Sequence, residues 1–120
     1  MCSSDLPEQV FKTLLCEIDG MPHVAIVPVT GPLQLKLAAA AIGGKRAEMM
    51  QVAAAERLTG YIAGGISPFG QKKVLPTIVD ETAVLFDTIY VSGGRRGFDI
   101  GIAPTDLVSL LDAIVADIAR

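Results

Sequence analysis

The chain has 120 residues, of which 51% are hydrophobic and 19% charged, a composition that supports one buried core and excludes a disordered chain. Its 13 acidic and 10 basic residues give a formal net charge of −3, which argues against a free-standing cationic nucleic-acid-binding protein. No uninterrupted apolar run approaches the roughly 18 residues of a membrane span, and the start lacks the succession of a signal peptide. We therefore expect a cytoplasmic protein that binds neither DNA nor membrane.

The first half of the chain predicts a β-hairpin followed by two short helices. Strands are expected at 9–18 and 23–29, where apolar and β-branched residues are dense, and the Asp19-Gly20 pair between them is typical of a turn. Leu and Ala dominate 33–42, and Ala dominates 52–58, which favours two helices. Glycine follows each of these stretches, as it commonly does at helix ends.

The second half predicts three further strands and a terminal helix. The strands are expected at 74–79, 88–91 and 98–102, the last two as a hairpin. A helix is expected from Pro104 onwards, with a core-facing stripe at helical spacing: Leu107, Leu110, Leu111, Ile114 and Ile118. Because the strands form hairpins and do not alternate with helices, the pattern predicts a single α+β domain over 1–120.

Two cysteines and one histidine limit the chemistry that the chain can perform. They cannot form a zinc set, an HExxH motif or a disulfide framework, so we expect no metal and no cofactor. Cys16 lies in an apolar run and is expected to be a small buried hydrophobe. His23 belongs to no recognisable triad, and we expect a surface or strand-edge side chain and not a general base.

Two glycine-rich segments are candidates for ligand binding. The segment 64–70 holds three glycines and a proline, so its backbone N–H groups could face a ligand, but Gln71 stands where a Walker A loop needs its lysine. The segment 92–97 places two arginines beside two glycines and could hold a phosphate or carboxylate. The alternatives are an ordinary tight turn and a hairpin turn with solvated arginines.

Charge is unevenly distributed along the chain. Residues 36–96 carry eight bases against five acids, so this middle segment is the candidate surface for a polyanion, unless it is simply a solvated mixed surface. Lys12 and Asp99 each lie within an apolar strand, where a charge is costly unless it reaches a partner, a cleft or water.

Five blocks in fixed order carry a resemblance to a known family. They are Phe11-Lys12-Thr13-Leu14-Leu15, Gly60-Tyr61, GGISPFGQKK at 64–73, Leu75-Pro76-Thr77, and IYVSGGRRGFDI at 89–100. From about Pro7 to Arg120 the chain resembles the YbaK/EbsC family of aminoacyl-tRNA deacylases, and most closely the branch that hydrolyses cysteinyl-tRNA-Pro. The resemblance implies a mixed, mainly antiparallel, curved sheet of about six strands with flanking helices.

The resemblance also implies roles for the candidate site residues. Lys12 matches the family's essential lysine and would meet a phosphate or the terminal ribose of the tRNA. The first glycine loop would lie at the aminoacyl group, with backbone N–H groups on the ester carbonyl. The second loop would form another pocket wall, and Asp99 would orient the substrate. The expected substrate-binding residues are Gly64, Gly65, Ile66, Ser67, Ser92, Gly93, Gly94 and Asp99.

The chemistry that the resemblance implies asks little of the protein. In the cysteine branch the substrate's own thiol attacks its ester carbonyl and leaves as a thiolactone, while the protein supplies position and electrostatics. The implied partners are the acceptor end of tRNA-Pro and prolyl-tRNA synthetase. Two alternatives stay open, which are deacylation of alanyl- or another mischarged tRNA and a non-catalytic module that binds tRNA or the synthetase.

Family members begin with a further helix and strand before the strand that carries the lysine. Here Met1–Leu6 stands in their place and matches nothing in the family. We therefore expect a chain that lacks these elements and one aromatic wall of the pocket.

Overall fold

A computed structural model describes residues 7–120, so the expectation for Met1–Leu6 lies outside the described residues. Seven strands and three α-helices follow one another along this range, with short 3-10 helices at Pro7–Gln9 and Glu81–Leu85. In chain order the elements are β1 (Phe11–Ile18), β2 (Met21–Pro28), α1 (Leu35–Ala41), β3 (Ala47–Met49), α2 (Val52–Thr59), β4 (Thr77–Asp80), β5 (Ile89–Arg95), β6 (Phe98–Ile102), α3 (Pro104–Leu111) and β7 (Ile114–Ala116).

The strands form a five-stranded sheet and a two-stranded ribbon. The order in the sheet is β3-β1-β2-β4-β7, with β1 antiparallel to β2 and β3, and with β4 parallel to β2 and β7. The ribbon is the antiparallel pair β5-β6, and a parallel bridge between Val10 and Tyr90 joins it to β1. The predicted α+β class, with a mixed and mainly antiparallel arrangement, is confirmed, and the seven described strands divide into a sheet and a ribbon where one sheet of about six strands was expected.

Strand β1 separates two apolar clusters because successive side chains point to opposite faces. Phe11 and Leu15 pack in one cluster with strands β4 and β5 and helix α3. Cys16 and Ile18 pack in the other with helix α1 and Ile118. The predicted burial of Cys16 is confirmed, since its side chain is 0% exposed.

The terminal helix is shorter than its apolar spacing predicts. Helix α3 ends at Leu111 because Asp112 adopts a left-handed conformation with φ 51° and ψ 45°. The chain then extends as β7, which pairs with the buried strand β4. The prediction of a continuous core-facing stripe is therefore wrong, since Leu110 is 70% and Ile114 47% exposed. Pairing with β4 outweighs the helical periodicity because it satisfies the backbone groups of an otherwise open strand.

Buried Asp80 secures the end of the chain against β4. Its Oδ1 accepts hydrogen bonds from the backbone N–H groups of Ile118 at 2.9 Å and Ala119 at 3.0 Å. Its Oδ2 accepts the N–H of Thr82 at 3.2 Å and so caps the second 3-10 helix. A buried carboxylate is tolerated here because backbone donors surround it.

Two further strands differ in extent from the sequence prediction. Strand β4 begins after Pro76, because proline has no N–H to donate to a ladder, and Val74 is 92% exposed. Strand β5 continues through Gly93 and Gly94 to Arg95, with an irregular register between Ser92 and Arg95. No helix within 7–120 is both long and apolar enough to cross a membrane.

Candidate active site between the two glycine-rich loops

Three of the expected site residues lie on one face of the structure. The parallel bridge pairs Val10 with Tyr90, and because side chains alternate along a strand, Lys12 lies on the same side of β1 as Val10 and Ser92 on the same side of β5 as Tyr90. Ser92 is in turn the cross-strand partner of Asp99. Lys12 is half-buried, whereas Phe11 and Thr13 on either side are buried on the opposite face. The side chain of Lys12 therefore points away from the cluster that contains Phe11 and Leu15, and Asp99 is exposed.

The first glycine loop packs directly on the second. A Cβ on the buried Gly65 would lie 2.7 Å from the Cα of Arg95, so only glycine allows the two backbones to approach so closely. Gly64 has a φ of +88°, and a Cβ there would lie 2.8 Å from a guanidinium nitrogen of Arg96. The two segments that the sequence singled out separately thus form one surface.

The second loop is shaped by contacts within the ribbon. A Cβ on Gly93 would lie 2.5 Å from the ring of Phe98, so the aromatic ring occupies the space that a side chain would need. Gly94 has a φ of +116° and lies against the ring of Tyr61. The hydroxyl of Ser92 accepts the N–H of Gly94 at 3.3 Å, which holds the turn of the chain at this point.

The remaining two expected site residues are part of the scaffold of the first loop. Ile66 packs against the cluster that contains Phe11 and Leu15. Ser67 is 2% exposed, and its hydroxyl accepts the N–H of Phe69 at 3.2 Å. The structure therefore places both in the wall behind the loop and leaves Gly64 exposed at its surface.

An apolar cavity of about 160 Å³ opens between β1 and the first loop. The residues that line this apolar cavity are Thr13, Leu14, Leu15, Met49, Met50, Val52, Ala55, Ala63, Gly64 and Ile66. Thr13 is 8% exposed, and its hydroxyl has no hydrogen-bond partner within 7–120. Thr13 was not among the expected site residues, because Lys12 beside it is the more conspicuous residue. The signal in the sequence that could have indicated Thr13 is a single hydroxyl among the inward-facing apolar side chains of β1.

A second depression, the basic groove, lies on the other side of the loop. It is lined by Gly60, Tyr61, Ile62, Ala63, Gly65, Gly94, Arg95 and Arg96. Ala63 also lines the apolar cavity, so the two depressions adjoin. Within the described part of the chain, the ion pairs are Arg46–Glu48 and Arg120–Asp117, and neither arginine of the groove takes part in one. Arg95 instead lies over the ring of Phe98, 5.4 Å from its centre.

The cysteine and histidine of the described chain lie away from these depressions. Burial raises the pKa of the Cys16 thiol to about 11, so the thiolate is scarce at neutral pH. His23 is 7% exposed and donates its Nδ1 proton to the carbonyl of Met21 at 2.8 Å. The prediction of a surface or strand-edge histidine is wrong, because β2 is an inner strand between β1 and β4.

Comparison with known proteins places this architecture in a family. Residues 4–110 match the family described as "Aminoacyl-tRNA editing domain". The Enterococcus faecalis protein named "Putative Cys-tRNA(Pro)/Cys-tRNA(Cys) deacylase EbsC" is 41% identical over 111 residues, which are 92% of this chain and 68% of that protein.

Solved structures agree with the sequence match. A "putative trans-editing enzyme for prolyl tRNA synthetase" superposes with a TM-score of 0.87 at 25% identity, covering 96% of this chain and 73% of that one. A scaffold used for epitope grafting by computational design superposes with a TM-score of 0.90 at 26% identity, covering 100% of this chain and 79% of the scaffold. The resemblance found in the sequence is thus confirmed, and the chain belongs to the aminoacyl-tRNA editing domain family.

Proposed function

We propose that this chain is a trans-acting deacylase that removes cysteine from mischarged cysteinyl-tRNA-Pro. The observation that carries the proposal is the surface on which Lys12, Ser92 and Asp99 share one face beside the contact between the two glycine loops. The identity of 41% to a protein named as a Cys-tRNA(Pro)/Cys-tRNA(Cys) deacylase supports the choice of cysteine.

The chemistry uses the substrate's own thiol as the nucleophile. The sulfur attacks the ester carbonyl carbon, the bond from that carbon to the ribose oxygen breaks, and the thiol proton passes to the released ribose oxygen. The products are the thiolactone of cysteine, which opens in water, and tRNA with a free terminal hydroxyl. This route needs no nucleophile from the protein, and neither Cys16, whose thiol is buried with a pKa raised to about 11, nor His23, whose Nδ1 is engaged by a backbone carbonyl, lines the cavity or the groove.

The protein contributes position and electrostatics to this reaction. The Lys12 ammonium neutralises a phosphate or binds the terminal ribose, and Asp99 orients the substrate across from Ser92. The N–H of Gly65 donates to the carbonyl of Ile62 at 2.9 Å, so the backbone donor that we propose for the ester carbonyl is the exposed Gly64. The wall formed by Ser92, Gly93 and Gly94 closes the other side.

The apolar cavity receives the side chain of the amino acid. Gly64 is part of its lining, so a carbonyl bound at that residue would direct the side chain into the cavity. Its small volume of about 160 Å³ and its methionine, leucine and isoleucine walls favour a short side chain of low polarity. Cysteine meets both conditions.

The basic groove receives the phosphates of the acceptor end. Its two arginines carry no ion pair with described residues, and Ala63 connects the groove to the cavity. With a net charge of −3 the chain binds tRNA weakly, and the phosphate contacts that it makes give this binding a strong salt dependence. Association with prolyl-tRNA synthetase would supply the additional affinity and would place the protein in the cytoplasm, where tRNA is charged.

A panel of substrates tests the proposal against its alternatives. Single-turnover deacylation is measured with cysteinyl-, alanyl- and seryl-tRNA-Pro. We expect fast cleavage of the cysteinyl ester and slow cleavage of the other two, because neither carries a thiol. Fast cleavage of the alanyl ester would assign the chain to alanine editing by water, and rapid cleavage of the seryl ester would exclude thiol cyclisation. Tight binding of tRNA without any cleavage would identify a non-catalytic module.

A further inference from the structure

The hydroxyl of Thr13 is an exception among the buried threonines of the described chain. Thr59 donates its hydroxyl proton to the carbonyl of Ala55 at 2.8 Å, and Thr77 donates to that of Leu75 at 3.1 Å. Thr13 is also buried, at 8% exposure, yet its Oγ1 has no partner within 7–120. Burial of an unpaired hydroxyl costs free energy, so an apolar residue would serve the core better at this position.

The hydroxyl of Thr13 lies in the wall of the apolar cavity, where a bound ligand can reach it. Among the described residues that line the cavity, Thr13 alone has a polar side chain. Met49, Met50 and Ile66 supply apolar walls, and Gly64, which also lines the cavity, lies against Arg96 of the basic groove. A ligand that enters past Gly64 therefore meets apolar surface and a single hydrogen-bonding group.

We propose that Thr13 is a specificity residue that hydrogen-bonds the sulfur of the cysteinyl group. This inference rests on the proposed function and extends it to a residue that the motifs do not indicate. The CH₂ group of cysteine contacts the apolar walls, and its sulfur is the one polar atom that the Thr13 hydroxyl can reach. The bond fixes the rotamer of the substrate side chain, which orients the sulfur for attack on the carbonyl at Gly64. Thr13 thus selects a polar γ atom, and the cyclisation step then selects sulfur over oxygen.

Binding of unreactive analogues tests the hydrogen bond independently of catalysis. The probes are adenosine 3′-amides that carry cysteine or 2-aminobutyrate, in which a methyl group replaces the thiol. We expect the wild-type protein to bind the cysteinyl amide about tenfold more tightly, as one neutral hydrogen bond allows. Thr13→Val should abolish the difference, and Thr13→Ser should keep it.

The result that overturns the proposal is equal affinity of the wild-type protein for both amides, or a preference that survives in Thr13→Val. If neither amide binds, the proposal is also overturned, because the cavity then does not hold the amino acid. Failure of the deacylase assay is a separate outcome, since the amides are not cleaved in either case.

Thermal unfolding separates this role from a structural one. Valine keeps the shape of threonine and removes an unpaired hydroxyl, so Thr13→Val should melt at or above the wild-type temperature. Thr77→Val is the matched control: it loses a bonded hydroxyl, and it should melt lower while it keeps the tenfold preference for the cysteinyl amide. A melting temperature of Thr13→Val as low as that of Thr77→Val would show that the hydroxyl supports the fold, which contradicts the proposal.

Discussion

Lys12 is the charged residue of β1 that we propose to act on the substrate. The strand alternation that buries Phe11 and Thr13 turns Lys12 to the face that it shares with Ser92 and Asp99. Ion pairs of the described chain do not include Lys12, so its ammonium is available to an anionic ligand. We propose that binding of the substrate offsets the free-energy cost of placing a lysine on this strand.

Replacement of Lys12 by alanine should therefore remove activity and leave the fold intact. We expect Lys12→Ala to slow single-turnover deacylation of cysteinyl-tRNA-Pro by about a hundredfold or more, as loss of one preorganised charged group does elsewhere. The free energy of unfolding should change by less than about 1 kcal/mol. Lys36→Ala, on the exposed side of α1, is the control and should retain the wild-type rate. A folded Lys12→Ala protein with the wild-type rate would refute the assignment.

Cys16 makes a different prediction, which concerns stability at high pH. Burial raises its pKa from 9.0 to about 11, so the folded protein holds the thiol proton more tightly than the unfolded chain does. The resulting stabilisation is complete below pH 9 and is lost as the pH rises from 9 to 11. Urea unfolding at a series of pH values should show this loss in the wild-type protein and a flatter profile in Cys16→Ala. The variant should keep most of its deacylase activity, and parallel pH profiles would contradict the burial of the thiol.

At the scale of elements, the contact between the glycine loops determines whether the site forms. Gly65→Ala would place a methyl group 2.7 Å from the Cα of Arg95, so one of the two backbones has to move. We expect a loss of about 1 to 3 kcal/mol in unfolding free energy, typical of overpacking, together with a lower deacylation rate. Urea denaturation and the single-turnover assay measure the two effects.

Gly31→Ala provides the matched control for this substitution. Its added methyl group would meet its nearest neighbours at 3.7 Å, an ordinary contact distance, and we expect little change in stability or rate. If Gly65→Ala were as stable and as active as Gly31→Ala, the loops would not depend on each other.

The sequence predicts the elements that local signals determine, and it fails for the strand that depends on tertiary pairing. The β1-β2 hairpin and helices α1 and α2 follow from local signals, namely apolar density, alanine content and glycine at the ends. Strand β7 does not follow from local signals, because its extended conformation depends on pairing with β4 and on Asp80, which lies more than thirty positions earlier. The 114–118 segment has helical spacing, and only tertiary pairing overrides it.

In the candidate site, too, some residues can be identified from local sequence and others only from tertiary contacts. Lys12 and the glycine loops belong to motifs, and a motif can be identified without knowing what it contacts. Thr13 is conspicuous only once the structure shows that its hydroxyl is buried and unpaired beside Gly64. The groove likewise required the structure, because Tyr61 and Arg95 lie far apart in sequence and meet only through the packing of the loops.

At the scale of the whole molecule, an acidic chain has to bind a polyanion through a local surface. The basic groove carries Arg95 and Arg96 without ion-pair partners in the described chain, whereas Arg46 is paired with Glu48 away from the groove. A phosphate contact releases counterions, so each contact adds to the slope of log affinity against log salt concentration. Total net charge does not produce this slope, and individual contacts can therefore be tested one by one.

Substitution of the groove arginines should change that slope in a countable way. For Arg95→Gln with Arg96→Gln, binding of a fluorescent tRNA-Pro acceptor minihelix should weaken at low salt. The slope should fall by about 0.7 to 0.9 for each phosphate contact that is lost. Arg46→Gln removes one positive charge outside the groove and should leave the slope unchanged. Equal slopes in the double variant and the wild type would mean that the acceptor end binds elsewhere. A reduced slope together with an unchanged cleavage rate at saturating substrate would mean that the two arginines bind the tRNA but do not contribute to the cleavage step.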